Sequence, residues 1–243
     1  MREKKAKSVL EQVQETYNEI ADEFSDSRAT AWDEFQFFIP YLTKGQNIVD
    51  LGCGNGRLLD YLNKKTEGWD KPAFHYLGID NSEKLLGKAH QIHPEAIFLP
   101  GDQLQIPIDD GKIDLIFNIA AFHHIPSKKL QMQALQEIHR ILKKNGILCL
   151  TVWNLWQKKY WKSMLKALLR WIFTLGNYSI GDLFIPWGNK KIPRYYHAFL
   201  PGELEKLIKK SGFEIEELFY TAKGQKVHFK KSYNICIIAK KIS

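Results

Sequence analysis

The chain has 243 residues, 44% of them hydrophobic and 26% charged, with a formal net charge of +8. This length can bury a substantial core, and no apolar run approaches the roughly 18 residues that span a bilayer. Cys53, Cys149 and Cys236 lie far apart without a CxxC pair, which speaks against a disulfide framework and against a zinc site, so no metal is expected.

The N-terminal stretch MREKKAKSVLEQVQETYNEI is charged and lacks the apolar centre of a signal peptide. A cytoplasmic location is therefore the expectation. Charge is uneven along the chain. From Leu155 onward there are 17 Lys and Arg against 6 Asp and Glu, a net +11, whereas the first 154 residues carry 18 against 21, a net −3. A basic C-terminal third predicts an anionic partner, nucleic acid or a membrane surface, against the ordinary alternative of a solvated lysine-rich face.

In chain order, Val9, Val13, Tyr17, Ile20 and Phe24 fall near helical spacing and predict a helix over 8–24. NIVDLGC (47–53) reads as a buried strand, followed by a helix through GRLLDYLNKK. FHYLGID (74–80) is the next strand, and Ser82 caps a helix over SEKLLGKAHQ. AIFLPGD and IDLIFNIAAF read as strands, and KKLQMQALQEIHRIL as an amphipathic helix. Gly146 is expected to end that helix and open a fifth strand through LCLTVW. Residues 155–175 form a basic, aromatic amphipathic segment, and 176–200 read as a Gly/Pro-punctuated loop. A helix over 201–212 starts near Pro201 and stops at Gly212. FEIEELFYT and YNICIIAKK then predict an antiparallel pair joined by a lysine-rich turn. Alternating strands and helices imply α/β architecture, because parallel strands need crossovers. The expected fold is a doubly wound Rossmann-like sheet, mostly parallel, with a C-terminal antiparallel hairpin, an N-terminal helix and an inserted basic lid segment.

The strongest chemical signal is IVDLGCGNGRLL, where a strand delivers Asp50 into a turn holding Gly52, Gly54 and Gly56. Such a turn lets backbone approach a ligand closely and offers N–H groups at a helix start. Asp80 ends the second strand, where a carboxylate can accept both hydroxyls of a ribose. A dinucleotide site would read GxGxxG; here the glycines are GxGxG, and Asp102 follows the third strand in PGDQLQIP. NAD is the runner-up cofactor.

This layout resembles class I S-adenosylmethionine-dependent methyltransferases over 47–153. The resemblance implies that the loop of Gly52, Cys53, Gly54, Asn55 and Gly56 holds the methionine part of the cofactor. It assigns Asp80 and Asn81 to the ribose end and Asp102 and Gln103 to the adenine end. Asn118, Ile119 and Ala120 would line the other side, and Asp50 the loop's approach. The flanks YNEIADEFSDSRATAW (17–32), IAAFHHIP (119–126), LTVWN (150–154) and DLFIPWGNKKIPRYYHAFLPGELEKL (182–207) further resemble the tRNA wobble-uridine carboxymethyl methyltransferases. By that resemblance Tyr17 caps the cofactor, with Arg28 near its carboxylate. The anticodon stem-loop of tRNA would be the substrate and a small zinc-binding protein the activator. Three positions depart from that family's pattern: Leu130–Gln131 in place of a basic pair, Asn154 in place of alanine, and Asn234–Ile235 in place of Asn-Trp.

A carboxylate acceptor is ionised at neutral pH and needs no general base, so orientation and desolvation would carry the reaction. Arg28, His123, His124, Arg194, Tyr195, Tyr196 and His197 are the candidate positioning set, with one histidine of the pair open to a plain core role. The boundaries that follow are a cap (1–46), a cofactor core (47–154), an inserted substrate or lid segment (155–200) and a C-terminal helix and hairpin (201–243), in one domain. The competing functions are a small-molecule carboxyl or heteroatom methyltransferase of the same fold and a non-catalytic RNA-associated module. Segment 155–175 reads first as an RNA-facing lid, ahead of a partner-docking helix and a membrane contact.

Overall fold

The computed structural model describes residues 1–28, 32–174 and 177–242. Residues 29–31 of the 17–32 stretch, residues 175–176 at the end of the basic segment, and residue 243 lie outside the described residues.

Period-two burial builds the sheet. In β1 (Asn47–Leu51), Ile48 faces one core and Val49 and Leu51 the other; β4 (Ile113–Ile119) splits Leu115 and Phe117 from Ile116 in the same way. β2 (His75–Asp80), β3 (Ile97–Pro100) and β5 (Leu142–Trp153) complete the parallel part. β10 (Asn234–Lys241) runs antiparallel to β5 and to β8 (Phe213–Ala222), and the short β9 (Gln225–Lys226) pairs with β8. The eight strands lie in the order β3-β2-β1-β4-β5-β10-β8-β9. Chain order reverses between β1 and β4, which opens a crevice at the strands' carboxyl ends.

α5 (Lys128–Ile141) and α7 (Pro201–Lys210) cover one face, with Leu135, Ile138, Leu204 and Ile208 fully buried. α3 (Arg57–Lys65), α4 (Glu83–Ile92) and a 3-10 turn over 33–41 cover the other. That turn, absent from the sequence reading, buries Phe35 and Phe38. Ser82 caps α4 as expected, its Oγ accepting from the Leu85 N–H at 3.3 Å.

Three expectations need correction. The predicted 8–24 helix is two helices, α1 (Glu3–Glu19) and α2 (Ala21–Asp26), broken at the buried Ile20. Gly146 is not the α5 cap: Leu142 already has extended backbone, and Gly146 lies inside β5. A Cβ there would stand 2.9 Å from the Lys143 carbonyl oxygen, in the turn where Asn145 takes φ +65. The 176–200 loop contains a hairpin of its own, β6 (Asp182–Trp187) against β7 (Ile192–His197). The basic segment becomes a 3-10 turn and α6 (Trp161–Phe173), of which only Ala167 is buried. Trp161, Leu165, Trp171 and Phe173 remain exposed. Among the described residues no helix is long and apolar enough to cross a membrane.

Candidate active site

The crevice at the strand switch is a cleft whose empty space, with the open solvent at its mouth included, is about 1140 Å³. Its floor is the glycine loop. Gly52 takes φ +84, and a Cβ there would lie 2.4 Å from the Ala121 Cβ, so only glycine fits. Gly56 sits left-handed at the N-cap of α3, behind the cleft wall. The Gly54 N–H donates to Asp80 Oδ2 at 2.9 Å and the Ser82 N–H to Oδ1 at 2.9 Å, which fixes the carboxylate at the end of β2. Burial raises the Asp80 pKa and these two bonds partly offset it. Asp50 is more strongly affected. Burial pushes its carboxyl up to about 7, against the Tyr76 hydroxyl that donates to Oδ2 at 2.9 Å.

Cys53, Asn55, Asn81, Asp102, Gln103, Ile119 and Ala120 also line this cleft. Asn55 Nδ2 donates to Ser25 Oγ at 3.0 Å and so ties the loop to α2, while the Asn81 carbonyl accepts from Gln14 of α1. Asn118 does not line the cleft: it is buried beneath, where Nδ2 donates to Gln103 Oε1 at 2.7 Å and orients that side chain.

At the far end Tyr17, Arg28, His123, His124, Trp153 and Arg194 converge. The Trp153 N–H donates to His123 Nδ1 at 3.0 Å, so the ring proton sits on Nε2. Burial pushes the His123 pKa well below the imidazole range, with His124 and Arg194 adding to it. His124 Nδ1 donates to the Tyr195 carbonyl (2.7 Å), and its Nε2 accepts from the Tyr17 hydroxyl (2.8 Å). Burial pushes the His124 pKa down to about 3, so both rings are neutral. Arg194, 3% exposed, donates from Nη1 to Tyr17 Oη at 3.3 Å and lies over the rings of Trp187 (4.9 Å) and Tyr196 (5.3 Å). It forms no salt bridge within 4.0 Å with any carboxylate among the described residues. His123 Nε2, Arg194 Nε and Tyr196 Oη are buried with no hydrogen-bond partner.

β7 divides the cluster IPRYYHAF by strand alternation. Arg194 lines the cleft; Tyr196 shares its strand face but is buried behind the lining, where it stacks on Trp153 at 5.2 Å and an 18° interplanar angle. Tyr195 and His197 point the other way and do not reach the cleft. The Tyr195 hydroxyl donates to Asp182 Oδ1 at 2.8 Å, and His197 sits between Asp182 Oδ1 (3.1 Å) and Glu203 Oε1 (3.4 Å). These two residues hold the hairpin together rather than facing a ligand.

Sequence reasoning missed Arg57, Trp32 and Trp187. Arg57 stands 4.8 Å over the Trp32 ring, and burial pushes its pKa down to about 10, with Arg28 adding to the effect. Arg57 follows the glycine loop directly and was readable from that place; Trp32 and Trp187 meet their arginines only through tertiary packing.

Residues 49–150 match the methyltransferase domain family. The tRNA (carboxymethyluridine(34)-5-O)-methyltransferase of Schizosaccharomyces pombe is 31% identical over 221 residues, covering 86% of this chain and 92% of that one. The Xenopus tropicalis protein of that name is 27% identical; it matches 96% of this chain, which spans only 41% of the longer relative. In three dimensions the chain is similar to an S-adenosylmethionine-dependent methyltransferase of Methanosarcina mazei, with a TM-score of 0.68 and 22% identity over 85% of this chain and 97% of that one. It is also similar to a Haloferax volcanii methyltransferase solved in complex with the Trm112 methyltransferase activator, with a TM-score of 0.67 and 16% identity over 95% and 98% of the two chains.

Proposed function

This chain belongs to the family of the tRNA (carboxymethyluridine(34)-5-O)-methyltransferases, and from that premise we propose that it esterifies the carboxylate of 5-carboxymethyluridine at the wobble position of tRNA. The observation that supports this most is three unpartnered buried groups, His123 Nε2 and Arg194 Nε on residues that line the cleft and Tyr196 Oη just behind them. With His123 in the tautomer fixed by Trp153, all three are donors. A carboxylate is acceptor-only, with about four lone-pair sites, and Arg194 has no carboxylate of its own to hold. The neutral histidines suit an acceptor that needs no base.

S-adenosylmethionine is the cofactor, and its sulfonium supplies the methyl group when bound. The residues present fit it. The open Gly54 backbone, the Asp80 carboxylate and the buried Asp50 form a cradle for a ribose and for an amino-acid end carrying positive charge. Asp80 and Asn81 are assigned to the ribose, and Asp102 and Gln103 to the adenine end, Gln103 being oriented by Asn118. Ile119 and Ala120 form the side wall, and Cys53, Asn55 and Gly56 shape the loop. Arg28 and Arg57 face the cofactor's carboxylate end, and Tyr17 roofs it.

The basic residues after Leu155 are assigned to anticodon-stem phosphates, which they would bind without reading sequence. A small zinc-binding activator protein and a cytoplasmic setting complete the reading. Residues 1–243 act in it as one catalytic domain. Labelled S-adenosylmethionine with total tRNA bearing carboxymethyluridine, followed by nucleoside digestion, tests the proposal. Label in the methyl ester of the modified uridine is expected; label confined to a metabolite extract would point to a small-molecule acceptor and overturn it.

A further inference from the structure

A second depression lies beside the first and shares Trp32 and Trp153 with it. Lys159 and Tyr160, ahead of α6, form one side, and Lys223 and Tyr233, at the C-terminal strands, form another. Lys159 Nζ lies 4.8 Å from the Tyr160 ring centre and 5.3 Å from that of Tyr233. Neither Lys159 nor Lys223 forms a salt bridge among the described residues. Of the two carboxylates in the wall, Glu34 faces the Gly224 N–H and Asn234 Nδ2, each at 3.4 Å, and Asp33 is left as an acceptor.

The wall is tied by hydrogen bonds although the Tyr233 face is open. Tyr233 is 43% exposed, yet its N–H donates to the Thr221 carbonyl at 2.7 Å and its carbonyl accepts from the Asn154 N–H at 2.8 Å. Asn154 Nδ2 in turn donates to the Phe229 carbonyl and to Ser232 Oγ, both at 2.9 Å, and pins the segment that carries Tyr233. Asn154 is the residue that stands where the family pattern has alanine. Across the cleft, a Cβ on Gly224 would lie 2.7 Å from the Asp33 Cβ, so the Lys223 turn is seated against the 33–41 segment.

One exposed and one half-buried tyrosine, two cations without carboxylate partners and one acceptor are what an unstacked nucleotide requires. We propose that this depression is a subsite for one nucleotide next to the methylated one. Its base lies against Tyr233 and Tyr160, its phosphate is held by Lys159 and Lys223, and Trp153 partitions it from the target base. The inference rests on the tRNA reading above, with Asn154 as a positioning residue.

Binding of an anticodon stem-loop RNA carrying 5-carboxymethyluridine, followed by fluorescence anisotropy, tests it beside two RNAs each lacking one base flanking the target. Tyr233→Ala should weaken binding about tenfold, with Tyr233→Phe restoring it. One of the two abasic RNAs should bind wild type and Tyr233→Ala alike. Lys159→Ala should flatten the dependence of log affinity on log salt by about 0.7, the share of one single-strand phosphate. Equal affinity of wild type and Tyr233→Ala for the intact RNA, or the same loss with all three RNAs, overturns the subsite. Methyl transfer by the wild type to the same stem-loop, with a Trm112-type activator protein present, is measured in parallel. Its absence overturns the tRNA reading and the subsite with it, whereas transfer without a Tyr233 effect overturns the subsite alone.

Discussion

Arg194 is a cation whose neighbours are ring faces and one hydroxyl, and burying a charge without an opposite charge is costly. The cost makes sense if an anion arrives later, and it separates stability from function. Arg194→Met should leave the thermal midpoint of the ligand-free protein unchanged or raised, while methyl transfer falls about a hundredfold or more. S-adenosylhomocysteine affinity, read by calorimetry, should hold; a stability loss matching the activity loss would make Arg194 a packing residue. Asp50 carries a second prediction. Its folded pKa of about 7 lies above the ordinary carboxylate value, so the folded chain keeps a proton that the unfolded chain has lost. The stability this contributes is full below about pH 4 and is lost as pH rises through about 7. A cationic cofactor end beside Asp50 restores the carboxylate, so binding near pH 6 should release a proton. Titrations in two buffers of different ionisation enthalpy should show that release in wild type and less of it in Asp50→Asn, since Asp80 is common to both. Asp50 and Asp80 were legible because glycines at a strand end leave few alternatives for an adjacent acid. His123, Arg194 and Tyr196 were legible only as part of a larger candidate set that the family resemblance suggested; that they carry unpartnered donors was not, because Trp153 reaches His123, and β7 reaches Tyr17, only across long stretches of chain.

β7 shows why a strand can escape a sequence reading. Its two faces are both buried, one on Trp153 and the histidine pair, the other on Asp182, Phe184 and α1, so RYYH shows no polar alternation. The sheet strands were legible for the opposite reason: their apolar runs lie between glycine turns and helix periods. The α5–β5 junction failed on turn chemistry, since Asn145 and Gly146 form an internal turn of the strand. In the hairpin, burial works against a charge on His197, but its bonds to Asp182 and Glu203 outweigh burial and raise its pKa. Asp182 is held low by the same contact, also against its own burial. Each shift has its own sign. The His197 contribution is complete below the unfolded imidazole value of about 6.5 and fades as pH rises through the raised one; the Asp182 contribution is complete above about 3.9 and fades as pH falls. The pair therefore stabilises the hairpin most between about pH 4 and 6.5. Asp182→Asn leaves His197 and the Tyr195 hydroxyl poorly matched and should cost about 3 kcal/mol or more, as broken buried pairs do. Hydrogen exchange of β6 and β7 amides at pH 6 should report the loss there first, with α3 and β1 unaffected; uniform acceleration across the chain would refute a local role.

Across the whole molecule, three segments distant in sequence meet at one hydroxyl. Tyr17 of α1 donates to His124 beyond β4 and accepts from Arg194 of β7. The N-terminal helices also touch the glycine loop through Ser25 and Asn55, and the turn after β2 through Asn18 and Ser82. The cofactor cleft is thus floored by the sheet and roofed by α1, α2 and the hairpin. A ligand that binds only the assembled state stabilises it by about 2.7 kcal/mol at a hundredfold excess over Kd. Saturating S-adenosylhomocysteine should therefore slow exchange in α2 and in β7 together, although β7 supplies only Arg194 to the cleft. Tyr17→Phe keeps the ring that packs on Phe24 and removes the bridge. In that variant the ligand should still protect the Gly52–Gly56 loop and α2, whereas β7 should lose most of its ligand-dependent protection. Equal protection of β7 in both proteins would mean that the hairpin is held over the site by packing alone, with Tyr17 no part of the coupling.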